Sequence, residues 1–426
     1  MWIKNGELID PVDGTIKQAD LIIEKGKIKT IAPRGTLKHI PSALKVLDAA
    51  GSMVIPGLID MHVHLREPGE EYKETVITGA RAAAAGGFTG IACMPNTHPP
   101  NDCRSVTEFI LDQARRGRTA RVFPIAAITM GQKGQSLTEF GDLREAGAVA
   151  VSDDGRSVLN SQVMRRALEY AHYHGLRVIS HCEDPLLAGD GVMHEGEVST
   201  RIGLAGIPTA SEDILVYRDI SLARLTRCPV HIAHVSTAVS VELIRRAKDE
   251  GLPVTAETAP HYFSLDHRAV QEYDTRTKVN PPLRTPADVA AIQQGLKTGV
   301  IDVIATDHAP HSTLEKDVEF DRAAFGMIGL QTALPLTLRL VEQGVLDLAG
   351  AISKLSTRGA EILGIPGGRL VEGTPADLAI VDPDVEYIFH EAHILSKSKN
   401  SPFVGHTMKG KTQLTMVGGR IVWRQA

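Results

Sequence analysis

Eight short apolar runs alternate with helical patterns between residues 57 and 365, the signature of a parallel sheet wrapped by helices. Polar residues suited to chemistry gather at the carboxyl ends of those runs, where a (β/α)8 barrel places its functional groups. The two ends of the chain, residues 1–56 and 366–426, have a different texture of short β-rich pieces broken by glycine turns. These observations predict an α/β protein: a (β/α)8 TIM barrel over 57–365, with a small β-sandwich-like accessory domain formed by both termini. An open doubly wound sheet is the runner-up. It lacks support, because no G-x-G-x-x-G follows an early strand.

At 426 residues the chain exceeds the roughly 250 that such a barrel needs. Its 43% hydrophobic and 23% charged residues are those of an ordinary globular protein. Lys+Arg 46 against Asp+Glu 51 gives a net charge of −5, so nothing pulls the chain towards nucleic acid or an anionic membrane. Aromatics at 4% also leave little for base stacking. No apolar stretch approaches the roughly 20 residues that span a bilayer. The start, Met1-Trp-Ile-Lys-Asn-Gly6, lacks a basic region followed by an apolar run. Cys93, Cys103, Cys182 and Cys228 form no C-x-x-C pair, which fits a reducing cytoplasm and thiols packed as small hydrophobes. Cys182, although beside His181, reads as a buried neighbour and not as a nucleophile.

Residues 1–56 read as antiparallel strands at Trp2–Ile3, Asp20–Glu24, Lys27–Ile31 and Val46–Asp48, with turns at Asn5-Gly6, Asp13-Gly14 and Lys25-Gly26. The first barrel strand, Leu58–Leu65, is the most informative. Period two puts Asp60, His62, His64 and Arg66 on one face and the apolar Ile59, Met61, Val63 and Leu65 on the other. Packing alone would not choose imidazoles and a guanidinium there, because such groups cost free energy when buried without partners. Further strands are expected at Phe88–Pro95, Arg121–Ile128, Ala148–Asp153, Arg177–His181, Val230–His234, Pro253–Glu257 and Asp302–Asp307. Between them come helices such as Thr78–Ala85, Ser161–His174, Ser240–Asp249 and Pro286–Leu296. After the barrel, Gly368–Gly373, Ala376–Val381 and Val417–Trp423 read as strands again.

The strand ends carry the chemistry. His62 and His64 sit at the end of strand one, Asn96 at strand two, Asp153-Asp154 at strand four, His181 at five, His234 at six, and Asp307 with His311 at eight. The His62–His64 pair by itself reads equally well as surface or hydrogen-bonded histidines, and His181, His234 or Asp307 taken singly reads more often as a satisfied core or surface residue. Together, four imidazoles and a carboxylate at one barrel mouth fit a zinc-type N/O site with room for a water. Parity selects Asp154 over Asp153 as the inward carboxylate, because Val149 and Val151 suit the helix-facing side. A metal centre of this kind makes water nucleophilic near neutrality, and Asp307 is placed to carry the proton to a leaving nitrogen. The expected reaction is metal-assisted hydrolysis or its reverse. Arg66 offers a guanidinium to a substrate carboxylate. Asn96 and His311 could complete that anion pocket, and Asn280 lies on a proline-stiffened loop beyond strand seven.

The motifs His62-Val-His-Leu-Arg-Glu-Pro-Gly69, Met94-Pro-Asn-Thr97, Ser152-Asp-Asp-Gly155, His181-Cys-Glu-Asp184, His234-Val-Ser-Thr237, Ala259-Pro-His-Tyr-Phe263, Lys278-Val-Asn-Pro-Pro-Leu-Arg284 and Asp307-His-Ala-Pro-His311 resemble those of the amidohydrolase superfamily. They are most similar to the class I dihydroorotases, and the resemblance spans essentially the whole chain. It implies reversible interconversion of N-carbamoyl-L-aspartate and L-dihydroorotate, the third step of pyrimidine (UMP) synthesis, on one or two Zn2+ per subunit. By the same resemblance His62, His64 and Asp307 hold one zinc, His181 and His234 the second, and Asp154 bridges. Asp307 doubles as acid/base. Arg66, Asn96 and His311 grip the substrate carboxylate, while Asn280 and the Phe325–Gly326 backbone meet the ring; His64 also borders the substrate. The resemblance further implies a homo-oligomer, a dimer, and allows a complex with aspartate transcarbamoylase.

Two departures stand out. Where the family usually reads Ala-Pro-Phe-Gly, this chain has Ala323-Ala-Phe-Gly326. Many relatives bridge their metals with a carboxylated lysine on strand four, whereas only Asp153-Asp154 stands here, as in the bacterial class I enzymes. The rival readings are a dihydropyrimidinase or hydantoinase, which acts on a ring without the carboxylate, and an inactive homologue that scaffolds aspartate transcarbamoylase. Arg66 counts against the first, and the complete set of ligand positions against the second.

Overall fold

The computed structural model describes residues 1–37 and 44–425. Strands β1 (Trp2–Ile9), β2 (Ile16–Glu24), β3 (Lys27–Pro33), β4 (Val46–Asp48) and β5 (Met53–Pro56) come first. The barrel follows with β6 (Leu58–Val63), β7 (Phe88–Cys93), β8 (Arg121–Ala126), β9 (Ala150–Val151) and β10 (Arg177–Ser180). A short ribbon, β11 (Met193–His194) with β12 (Gly206–Ile207), leads to β13 (Val230–Ile232), β14 (Val254–Thr258) and β15 (Val303–Ile304). The chain ends with β16 (Leu378–Ile388), β17 (Thr407–Val417) and β18 (Arg420–Arg424).

The eight barrel strands pair in parallel in the order β6-β7-β8-β9-β10-β13-β14-β15. Closure is completed by a parallel bridge between Val63 and His308, with the His64 amide donating to the His308 carbonyl at 2.8 Å. Along the strands, side chains alternate between two cores. Met61, Ala92, Ile125, Ala150, Ile179, Ala233 and Val303 fill the inside. Val63, Ile91, Val122, Val151, Val178, Ile232 and Ile304 face the surrounding helices. All eight predicted strands and the four predicted helices are present. Except for β14, which runs on to Thr258, the strands stop earlier than the apolar runs suggest, because the polar residues at their ends leave the ladder to line the mouth.

Both termini enter one sheet, ordered β18-β17-β16-β5-β1-β2-β3 with β4 on β1. Its own core includes Ile3, Leu8, Leu21, Ile28, Val54, Leu378 and Met416. Four local expectations fail here. β4, expected to be antiparallel, pairs with β1 in parallel. Asn5-Gly6 is not a turn: it lies inside β1, where Asn5 adopts φ 62 and the pairing with β2 shifts register, which makes a bulge. Gly368–Gly373 is not a strand, since Gly368 at φ 71 and Gly373 at φ 87 bend it out of extended geometry. Val417–Trp423 is not one strand but the end of β17, a Gly418-Gly419 turn and most of β18.

The sheet is tied to the barrel by Asp377, whose carboxylate accepts from Arg121 Nε (3.1 Å) and Nη2 (3.2 Å) on β8 and from the Gly418 amide (2.6 Å). Asp377→Ala strands that amide and the guanidinium. A loss of about 1–3 kcal/mol of unfolding free energy is expected, read by denaturant titration; a change within error would show that the tether is idle. Among the described residues no helix is long and apolar enough to cross a membrane.

Candidate metal centre and active site

Two strands deliver their side chains by simple alternation. Ala150 points in and Val151 out, so Ser152 and Asp154 follow inward and Asp154 reaches the cavity. Asp153 faces the other way, where it accepts from the backbone amides of Ile128 (2.8 Å) and Thr129 (3.1 Å). On β10, Val178 points out and Ile179 in, which sends His181 into the mouth.

Elsewhere the backbone is bent. Ala233 already faces inward, so alternation would expel His234; its left-handed φ of 34 swings the ring back to the cavity. On β6 the ladder shifts register between Asp60 and Val63. Met61 consequently packs inside the barrel, against the expectation of an outward apolar row. Asp60 is not on the site face either: its carboxylate accepts from the amides of His62 and Thr306, both at 3.1 Å. Arg66 and Asp307 also adopt left-handed φ values of 60 and 47. Such conformations cost on the order of 1–3 kcal/mol each and cluster at functional sites.

Asp154 sits at the centre. Its Oδ1 lies 3.4 Å from His62 Nε2 and 3.6 Å from both His181 Nδ1 and His234 Nε2, and its Oδ2 lies 3.5 Å from His64 Nε2. Asp307 Oδ1 lies 3.1 Å from His64 Nε2 and 3.5 Å from His62 Nε2. His181 Nδ1 and His234 Nε2 face each other at 2.7 Å. Two donor groups result, His62–His64–Asp154 and Asp154–His181–His234, each with its ligand atoms within 4.8 Å of one another. Asp154 belongs to both.

These residues fit a metal. His62 Nε2 and Asp154 Oδ1 are buried without a hydrogen-bond partner among the described residues, and imidazole with carboxylate is a zinc-type donor set. The electrostatics agree. Burial would raise the Asp154 carboxyl, but His62, His181 and His234 hold it well below the carboxylate range. Burial would likewise keep His62 neutral, yet Asp154 and Glu257 drive its pKa well up. For His181 burial is again outweighed, by Asp154 and Glu183, and the pKa rises to about 10. A divalent cation supplies the same counter-charge while leaving the imidazoles neutral as ligands.

Three supporting residues were not singled out from sequence. Glu257 on β14 lies 2.6 Å from His62 Nδ1 and 3.2 Å from His231 Nε2, and His231 Nδ1 in turn meets Thr255 Oγ1 at 2.8 Å. Carboxylates in this position orient a metal-binding imidazole. An acid at an inward position of a buried strand was the available signal. Glu183, within the His181–Asp184 motif, lies 3.3 Å from His181 Nε2 and accepts twice from Asn280 Nδ2 at 3.1 Å. Asn400 accepts from the His311 amide (3.1 Å) and donates to the carbonyls of Ala309 (3.0 Å) and Gly326 (3.1 Å). It comes from the far end of the chain, and no local pattern marks it.

Beside the cluster lies a cavity of about 280 Å³, lined by His64, Arg66, Asn96, Asp154, His181, His234, Asn280, Asp307, His311, Phe325 and Gly326 among others. Every predicted site residue except the wholly buried His62 borders it. A cavity of about 320 Å³ between the barrel and the terminal sheet is larger but holds no such cluster. Arg66 is only 8% exposed. Its Nε donates to Pro310 O at 3.2 Å and its Nη2 to His311 Nε2 at 3.2 Å. Burial, then Arg66 and Lys73, push the His311 pKa far down, so the ring is neutral and accepts. Among the described residues no carboxylate lies within 4 Å of the Arg66 guanidinium. Asn96 spends its polar atoms on the cluster, with Oδ1 2.8 Å from His64 Nδ1 and Nδ2 3.3 Å from Asp154 Oδ2. Cys182 is buried against Ser180 and Asp219, and burial lifts its thiol pKa well up, so it is no nucleophile.

The Dihydro-orotase-like family pattern matches residues 51–240. A dihydroorotase of Geotalea daltonii is 53% identical over 425 residues, covering 100% of this chain and 99% of the relative. One from Geobacter sulfurreducens is 55% identical over 422 residues, covering 99% of each. Among solved structures, an L-hydantoinase (dihydropyrimidinase) from Arthrobacter aurescens superposes with a TM-score of 0.88 at 25% identity, covering 100% of this chain and 96% of that one. A dihydropyrimidinase from Brevibacillus agri, at 22% identity and TM-score 0.85 over 99% of this chain and 95% of its own, shares the fold. By these full-length matches the chain belongs to the dihydroorotase family.

Proposed function

We propose that the protein is a dihydroorotase, a cyclic amide hydrolase that interconverts N-carbamoyl-L-aspartate and L-dihydroorotate for pyrimidine (UMP) biosynthesis. The observation that carries this reading is Arg66: a buried guanidinium with no carboxylate within ion-pair distance among the described residues, beside a metal-type donor cluster. A buried charge is stable only when paired. A substrate carboxylate completes it, and dihydroorotate differs from dihydrouracil by that group.

His62, His64 and Asp307 would hold one zinc ion, His181 and His234 a second, with Asp154 between them; one or two Zn2+ per subunit satisfy this set. Bound there, zinc polarises a carbonyl and lowers the pKa of water. The chain's own groups do the rest. Asp307, an anion at neutral pH because His62 and His64 outweigh its burial, takes the proton of the attacking water at its carboxylate. It then returns that proton to the ring nitrogen as the amide bond breaks. Arg66, with His311 and Asn96 beside it, fixes the substrate carboxylate, and Asn280 with the Phe325–Gly326 backbone sets the ring against the donor cluster. Residues 57–365 form the catalytic barrel in this reading, and 1–56 with 366–426 the accessory domain. A cytoplasmic homodimer and association with aspartate transcarbamoylase belong to the same reading, and co-elution of the two purified proteins tests the association.

The likeness in shape to hydantoinases favours a cyclic amidase of some kind, but a ring lacking the carboxylate would leave Arg66 unpaired. Hydrolysis of L-dihydroorotate and of dihydrouracil, measured with metal content on one sample, decides. Turnover of the acid alone, abolished by a chelator and restored by zinc, is expected. Preferred turnover of dihydrouracil would overturn the assignment.

A further inference from the structure

Two lysines outside the donor cluster are buried without counter-ions. Lys316 is 6% exposed and Lys278 2% exposed. Lys316 Nζ donates to three carbonyls, Ala324 at 2.6 Å, Thr275 at 2.9 Å and Lys278 at 3.2 Å, which uses all of its N–H groups. Lys278 Nζ donates to the carbonyls of Phe320 (2.9 Å) and Asp321 (3.0 Å) and lies 4.5 Å from the centroid of the Phe325 ring. Among the described residues neither ammonium has a carboxylate within ion-pair distance. Burying an ammonium is costly, and an apolar side chain would fill the same space. The feature the two lysines share is what they hold.

Both reach into the irregular segment 320–326 at the cavity rim. The backbone runs the same way: the Gly326 amide donates to Lys278 O at 2.9 Å and the Ala324 amide to Glu315 O at 3.0 Å. The Ala324 amide hydrogen is one of these tethers, and a proline at this position would have none to give. The rim of this chain is therefore held by tethers and not by a stiff ring.

We propose that Lys316 and Lys278 are positioning residues: they lock the Phe325–Gly326 rim against the segment that carries Asn280, and so set the wall that meets the substrate ring. This rests on the dihydroorotase reading of the site. In the zinc-loaded full-length protein, Lys316→Met and Lys278→Met are expected to speed amide hydrogen exchange of residues 320–326 by roughly tenfold, with the barrel strands unchanged. KM for L-dihydroorotate should rise by roughly tenfold while kcat stays within about threefold, because the wall orients the ring and does not touch the reacting atoms. Unchanged exchange in both variants, or a fall in kcat at constant KM, would overturn the proposal. Should Lys316→Met fail to fold, Lys278→Met carries the test alone. If the parent enzyme leaves dihydroorotate untouched, the functional reading fails, while the exchange data still decide whether the lysines hold the rim.

Discussion

Asp307→Asn is expected to lower kcat for L-dihydroorotate by on the order of 10³, within the range that a positioned proton carrier contributes. The amide keeps an oxygen for the 3.1 Å contact with His64 and nearly the same volume, so folding and the cavity wall should persist. It cannot take a proton at neutral pH. Zinc content must be measured on the same sample, because Asp307 is also a candidate ligand. A large loss of kcat with metal retained and KM little changed would assign the proton role to Asp307. A loss that merely tracks zinc would reduce it to a ligand, and a change under tenfold would remove it from the chemistry.

Arg66→Ala tests specificity, and its effect should be comparable in size. The guanidinium is held by Pro310 O and the neutral His311 ring, both of which remain when the side chain is cut. The substrate carboxylate would then enter a buried site without its counter-charge. Leaving such a group unpaired costs several kcal/mol, so kcat/KM for L-dihydroorotate should fall by on the order of 10³–10⁴. Dihydrouracil, with no carboxylate, should be turned over as by the parent or better. Equal KM and kcat for dihydroorotate in the variant and the parent would disprove the role. Arg66→Lys restores charge without the planar fork and should recover only part of the loss.

Much of this site could be read from residues because strand parity is a local property. Reading Val149 and Val151 as outward put Asp154 inward and Asp153 outward; the structure places both aspartates and Val151 so, although Val149 packs against the inner core. Clustering at strand ends follows from the barrel itself, so the cavity-lining residues Arg66, Asn96, Asn280 and His311 could be nominated from their positions beyond the strands. Phe325 and Gly326 came from resemblance alone, since an irregular loop has no periodicity to read. Glu257 and Asn400 escaped for another reason. Their importance lies in contacts to His62 and to His311 and Gly326, between residues 74 to 195 positions apart.

What the sequence determined by itself was the alternation of strands and helices, the two β-rich ends, and the set of histidines and carboxylates at the strand ends. Each follows from periodicity and residue chemistry over a few positions. What the tertiary structure decided was where alternation breaks. His234 by its register belongs outside the barrel, and β6 by strict alternation cannot send Met61 and His62 to the same side. A left-handed residue at 234 and a register shift after Asp60 bring both histidines to the donor cluster around Asp154. Such distortions are held by neighbouring strands and by the buried carboxylates of Asp60 and Glu257. Their cost is local while their support is distant, and a local pattern cannot contain them.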